Sequence, residues 1–155
     1  VPGDKRKTIT KYLVVGILFF DQLSKYIVCQ KIPQGESRPV IENVFHFTYI
    51  LNRGAAFGIF KNQVFFFIIT AVVAIIFILI NLRHRRPRAI ELSLYLILAG
   101  ATSNLVDRIR LGAVIDFLDF RIWPVFNIAD AAITIGAILL AYTILKKPET
   151  RAEET

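Results

Sequence analysis

The sequence has no methionine, one cysteine and two histidines, and each scarcity removes a class of function. A lone Cys29 cannot build an internal disulfide framework, and it reads as a small apolar residue at a helix end. His46 and His84 fall on opposite sides of the topology derived below, so a histidine metal site and a Ser-His-Asp triad both lack parts. A phosphate-binding glycine loop of the P-loop or dinucleotide kind is missing too. Neither a cofactor nor a metal is therefore expected. Without any methionine, Val1-Pro2-Gly3 is not expected to be the native terminus. Charge is also scarce: 20% of the 155 residues are charged and 55% are hydrophobic. A water-soluble core of this size cannot hide that much apolar surface.

The apolar residues are gathered into runs. A helix needs about 20 such residues to cross about 30 Å of hydrocarbon. Val64 to Leu82 is a run of nineteen without a charge. Three weaker spans cover 11–28, 89–106 and 128–145, leaving long loops at 29–63 and 107–127. The first span follows Lys5, Arg6 and Lys7 like a signal peptide, but Asp21 and Lys25 interrupt it and no Ala-x-Ala site follows, so it is read as retained. The expected fold is an all-α membrane protein of one domain over 1–155, a four-transmembrane-helix bundle.

The formal charge of +7 follows topology rather than a nucleic-acid patch, and no nucleic-acid partner is expected. Residues 1–11, 83–88 and 146–155 hold eleven Lys or Arg in 27 positions, whereas 29–63 and 107–127 hold seven in 56. The positive-inside rule puts both termini and the 83–88 turn in the cytoplasm and the long loops outside. Val40 to Leu51 alternates Phe45, Phe47 and Tyr49 with His46 and Thr48, which predicts a small extracytoplasmic β-sheet. Trp123 beside Pro124 suits an interfacial anchor, and the tail from Pro148 reads as disordered.

An ionisable side chain deep in a bilayer costs on the order of 2.5–3.5 kcal/mol, so each one calls for a partner or a task. Counting along the helices in this topology gathers Asp21, Lys25, Asn52, Asn104, Arg108, Asp116, Asn127 and Asp130 toward the outer side. Asp21 and Lys25, four residues apart, read equally as an ion pair that lets the first helix insert and as support for a site. Asn127 reads as an N-cap, Asp107 and Arg108 as the end of the third helix, and Asp119 as a loop carboxylate. Asp116 and Asp130 resist such readings, because they lie at one depth on segments the chain must bring together. Two close carboxyls in a low-dielectric site share one proton near neutral pH. One can then activate water while the other polarises a carbonyl, which is peptide hydrolysis without a covalent intermediate.

The blocks Asp21-Gln22-Leu23-Ser24-Lys25, Asn52-Arg53-Gly54-Ala55-Ala56-Phe57-Gly58, Gly100 to Arg108, Val114-Ile115-Asp116-Phe117 and Phe126-Asn127-Ile128-Ala129-Asp130 occur in that order. Together, across about residues 11 to 145, they resemble the lipoprotein signal peptidase (signal peptidase II) family. The resemblance implies a bacterial inner-membrane aspartic endopeptidase that cuts signal peptides from diacylglyceryl-modified prolipoproteins just before the lipidated cysteine. It matches Asp116 and Asp130 to the catalytic pair, and Asp21, Lys25, Asn52, Gly54, Asn104, Arg108 and Asn127 to supporting or substrate-binding positions. One departure stands out: the family usually has glycine before the asparagine of the third block, where this chain has Ser103, and a slight change of packing is expected. Expected partners are the lipid-modified precursors and membrane lipids, and the expected state is a monomer. A rival of another class, a small proton-coupled carrier with Asp21, Lys25 and Asp130 as a relay, would need ionisable groups toward the cytoplasmic half, where the sequence has almost none.

Overall fold

A computed structural model of the chain describes residues 2–54 and 63–146, with side chains from Tyr12 onward. Ala55 to Gly58 of the second block, the Lys5-Arg6-Lys7 side chains and the tail from Pro148 lie outside the described residues. The elements are α1 (Pro2–Lys31), β1 (Ser37–Ile41), β2 (Phe45–Asn52), α2 (Val64–Asn81), α3 (Arg88–Leu111), β3 (Val114–Asp119) and α4 (Ile128–Leu145). All four helices contain a segment long and apolar enough to cross a membrane.

α4 has the predicted bounds, and α2 ends one residue early. α1 runs beyond the expected 11–28 at both ends, from Pro2 to Lys31, and α3 starts one residue early and runs five residues past the expected end at 106. Asp107 and Arg108 therefore lie inside the helix rather than in a loop, because Asp107 finds its countercharge on α1, in Lys25 at 2.7 Å. Gly112 ends α3 in the left-handed conformation at φ 65°, its N–H donating to the Arg108 carbonyl at 3.0 Å.

The small sheet expected from the alternation over 40–51 is present, and its first two strands form a hairpin. Ser37–Ile41 pairs antiparallel with Phe45–Asn52 around a turn in which Asn43 takes φ 60°. Pro39 lies within β1, an edge strand where its missing N–H is tolerated. The third strand comes from far along the chain: β3 pairs antiparallel with β2, Asn52 opposite Val114 and His46 opposite Asp119. Val28, Ile32 and Phe117 form a small core between the end of α1 and the sheet, joined by Phe47 and Tyr49.

α3 is the central helix and touches α1, α2 and α4. Its approach to α4 is close because the contact residues are small. A Cβ on Gly100 would lie 2.3 Å from the Ala129 carbonyl oxygen, and one on Gly136 would lie 2.8 Å from the Ser93 carbonyl oxygen. Ala99, Ala129 and Ala132 are buried along the same seam. The seam brings the N-terminus of α4 against the middle of α3, and β3 arrives beside both.

Candidate active site

The first turn of α4 is a reciprocal cap. The Asn127 side-chain oxygen accepts the Asp130 N–H at 2.8 Å, and Asp130 Oδ2 accepts the Asn127 N–H at 3.3 Å. This matches the sequence expectation for Asn127, and it also fixes where the Asp130 carboxyl sits. The Asn127 amide donates onward to Asp116 Oδ1 at 2.7 Å, and Asn52 on β2 donates to Asp116 Oδ2 at 2.9 Å. On the other side Asn104 donates to Asp130 Oδ1 at 2.7 Å. Asp116 and Asp130, brought from β3 and α4, both line one cavity of about 750 Å³.

Behind that cavity lies a buried ionic cluster. The Lys25 ammonium uses its three hydrogens on Asp21 Oδ2 at 2.7 Å, Asp107 Oδ2 at 2.7 Å and Asn104 Oδ1 at 3.0 Å. Asp21 also accepts from the Ser103 hydroxyl at 2.7 Å and the Ala129 N–H at 2.8 Å. Gln22 donates to Asp107 and to Ser103, each at 2.9 Å. Lys25, Asp21 and Asp107 are buried to within 2% of full coverage, so every polar atom needs such a partner.

The named residues thus divide. Asn52, Gly54, Arg108, Asp116 and Asp130 line the cavity. Asn104 and Asn127 bridge the two carboxyls, while Asp21 and Lys25 meet the bridge from behind. Gly54 follows a turn in which its N–H donates to Asn52 Oδ1 at 2.9 Å, holding the Asn52 amide toward Asp116. The Arg108 guanidinium lies 5.1 Å over the Phe67 ring.

Sequence reasoning passed over Gln22, Ser103 and Asp107 as members of this cluster. The spacing held a signal, because Ser103, Asn104 and Asp107 at i, i+1 and i+4 share one helix face. Ser103 is more than a packing change: its hydroxyl bridges Gln22 and Asp21. Asp119 is a buried strand residue rather than a loop carboxylate.

Burial pushes the Asp116 carboxyl up from 3.8 to about 7, and the nearby Asp130 charge pushes the same way; bonds from Asn52 and Asn127 and the Lys25 charge pull back. Asp116 therefore keeps its proton to a much higher pH than an exposed carboxyl does. In Asp119 burial also pushes upward, but the bonds from Thr48 and Arg121 outweigh it and hold the carboxyl below its ordinary value.

Four apolar helices and a three-stranded sheet that bring together a pair of amide-bridged carboxyls define the class: a membrane protein with an acidic cavity. The sequence profile of the signal peptidase (SPase) II family matches residues 13–146. Lipoprotein signal peptidase of Halothermothrix orenii is 51% identical over 131 residues, covering 83% of this chain and 90% of that protein. The same enzyme of Geobacter sulfurreducens is 40% identical over 149 residues, covering 90% and 93%. A bacterial membrane enzyme solved in meso at 2.3 Å superposes with a TM-score of 0.86 at 32% identity, covering 96% of this chain and 94% of that one. The chain belongs to the signal peptidase II family and is a membrane peptidase.

Proposed function

We propose that this peptidase removes signal peptides from diacylglyceryl-modified prolipoproteins, cutting before the lipidated cysteine, with Asp116 and Asp130 as its catalytic pair. The observation that carries this reading is that both carboxyls line one cavity and are joined through the Asn104 and Asn127 amides. The names of the relatives support the substrate class.

The pair holds one proton between two carboxyls. One carboxylate takes a proton from water as its oxygen attacks the scissile carbonyl carbon, while the protonated partner donates to the carbonyl oxygen. The tetrahedral diol then collapses, the C–N bond breaks, and a proton passes to the departing amine. Asn52, Asn104 and Asn127 hold the carboxyls in place, backed by Asp21 and Lys25. Gly54 lets the chain turn beside the cavity, and Arg108 offers its guanidinium to the substrate. A lipid-anchored substrate keeps its acyl chains in the bilayer, and this orients the bond to be cut.

The reading places the chain in the bacterial inner membrane as a single domain and a monomer, with both termini cytoplasmic and the cavity and sheet facing outward. The distribution of basic residues supports that orientation. Exposed Phe65, Phe77, Ile138 and Leu145 supply surface for contact with membrane lipids. No observation favours the carrier.

The test is cleavage of a lipid-modified precursor by purified Asp116→Asn and Asp130→Asn variants. Each should abolish product while the protein stays folded; near-normal turnover by either rejects the assignment. A probe in 29–54 labelled from outside in intact cells, with the termini protected, checks the orientation.

A further inference from the structure

We infer that Asp119 is a positioning residue: it sets the turn that carries the apolar wall of the cavity and so determines how tightly the enzyme holds its substrate. This rests on the reading that the substrate is lipid-modified. Asp119 ends β3, and 5% of its surface is exposed. Its Oδ2 accepts from the Thr48 hydroxyl at 2.7 Å and the Arg121 guanidinium at 3.0 Å, and its Oδ1 accepts the Arg121 N–H at 2.9 Å. Thr48 is bonded in turn to Ser37 at 2.9 Å, so the carboxylate ties the turn to all three strands.

The residue held this way needs holding. Arg121 has φ 66°, a conformation that side-chain-bearing residues disfavour, and no glycine is present to relieve it. Past Arg121 the chain returns to the sheet: the Phe126 N–H donates to the Leu118 carbonyl at 3.1 Å, and its carbonyl accepts from Leu118 at 2.8 Å and Phe117 at 3.0 Å. Phe120 stacks on Phe126 with centroids 5.9 Å apart. The base of the loop is thus closed, and the Arg121 turn decides how the segment between is aimed. That segment, Ile122 to Phe126, lines the cavity that also holds Asp116 and Asp130. Its side chains are apolar, which suits the acyl chains of a lipid-modified precursor. The Asp119 carboxylate bonds Thr48 and Arg121 rather than the catalytic pair, so losing it disturbs binding rather than bond cleavage.

The experiment is steady-state cleavage of a diacylated precursor peptide in detergent micelles. Asp119→Ala should raise KM about five- to tenfold and leave kcat within about twofold, the signature of lost uniform binding. Glycine adopts positive φ without help, so adding Arg121→Gly should recover most of the KM, while Arg121→Gly alone should stay near the parent. A merely structural role would lower active enzyme and kcat without moving KM, and glycine would not rescue it. If Asp119→Ala does not fold, Thr48→Val removes one of the three contacts and should raise KM by about two- to threefold. An unchanged KM in the variants, or no recovery with glycine, overturns the inference. Failure of the parent enzyme to cleave the diacylated peptide would instead sink the substrate reading.

Discussion

The Asn127 side-chain amide donates to the Asn104 side-chain oxygen at 3.2 Å, joining the cap of α4 to the middle of α3. That oxygen also accepts from Lys25, and the Asn127 oxygen accepts the Asp130 N–H. With both oxygens engaged, both NH2 groups must face the carboxyls, Asn104 toward Asp130 and Asn127 toward Asp116. Flipping either amide would set a carbonyl against a carboxylate. The orientation of the acidic pair is therefore imposed from the ionic cluster behind it.

Asn52 stabilises the charged form of Asp116, so removing its amide should raise that carboxyl above its present value of about 7. In the mechanism proposed above, catalysis needs the proton that the pair shares, so activity should fall as pH rises through that value. In Asn52→Ala this alkaline limb of kcat should move to higher pH, with lower kcat throughout. A pH–rate profile reads it, and a limb that moved down would contradict the geometry.

Stability should depend on pH with a definite sign. Asp116 has a raised folded value of about 7 against 3.8, so the folded state retains a proton that the unfolded chain releases between about pH 4 and 7. Stability therefore declines as pH rises through that window, by at most on the order of 4 kcal/mol, and stays level above it. Asp116→Asn should lack this decline. Thermal unfolding at pH 4.5 and 8 should give the variant the higher relative Tm at pH 8.

Lys25 neutralises two buried carboxylates. Lys25→Met alone strands Asp21 and Asp107 and should destabilise the protein by about 3–5 kcal/mol. Adding Asp21→Asn and Asp107→Asn removes the stranded charges and should recover part of that loss. Tm measurements in detergent check the order; equal or greater loss in the triple variant would mean the charges are not the cause.

Gly100→Ala tests the seam between α3 and α4. Alanine in a helix ordinarily gains up to about 1 kcal/mol over glycine. Here the added methyl would meet a backbone oxygen at 2.3 Å, so the helices must separate, at about 1–3 kcal/mol. The separation would pull Asn104 from Asp130, and cleavage should fall at least tenfold. Gly16→Ala has open space around its Cβ and serves as the control. Equal behaviour of the two variants would count against close packing as the constraint.

Much of the fold was readable because it rests on local sums: runs of apolar residues long enough to cross a bilayer, one of them free of charge. The site residues were readable as blocks whose polar members lacked any apolar purpose. The same local reasoning stopped α3 at 106, because Asp107 reads as the polar end of a helix until Lys25 is placed beside it. It also predicted the sheet from 40–51 without placing the hairpin turn, since alternation does not show where a chain doubles back.

By itself the sequence determined four apolar spans and an uneven distribution of basic residues among the loops, and it singled out two aspartates with three asparagines around them. Only the tertiary structure decided which amide faces which carboxyl, that Gln22, Ser103 and Asp107 complete the ionic cluster, and that Asp119 holds a strained turn beside the cavity. The reason is physical. Apolar burial and charge placement are properties of a segment, whereas Gln22 and Asp107 lie 85 residues apart and their bond exists only after α1 and α3 have packed.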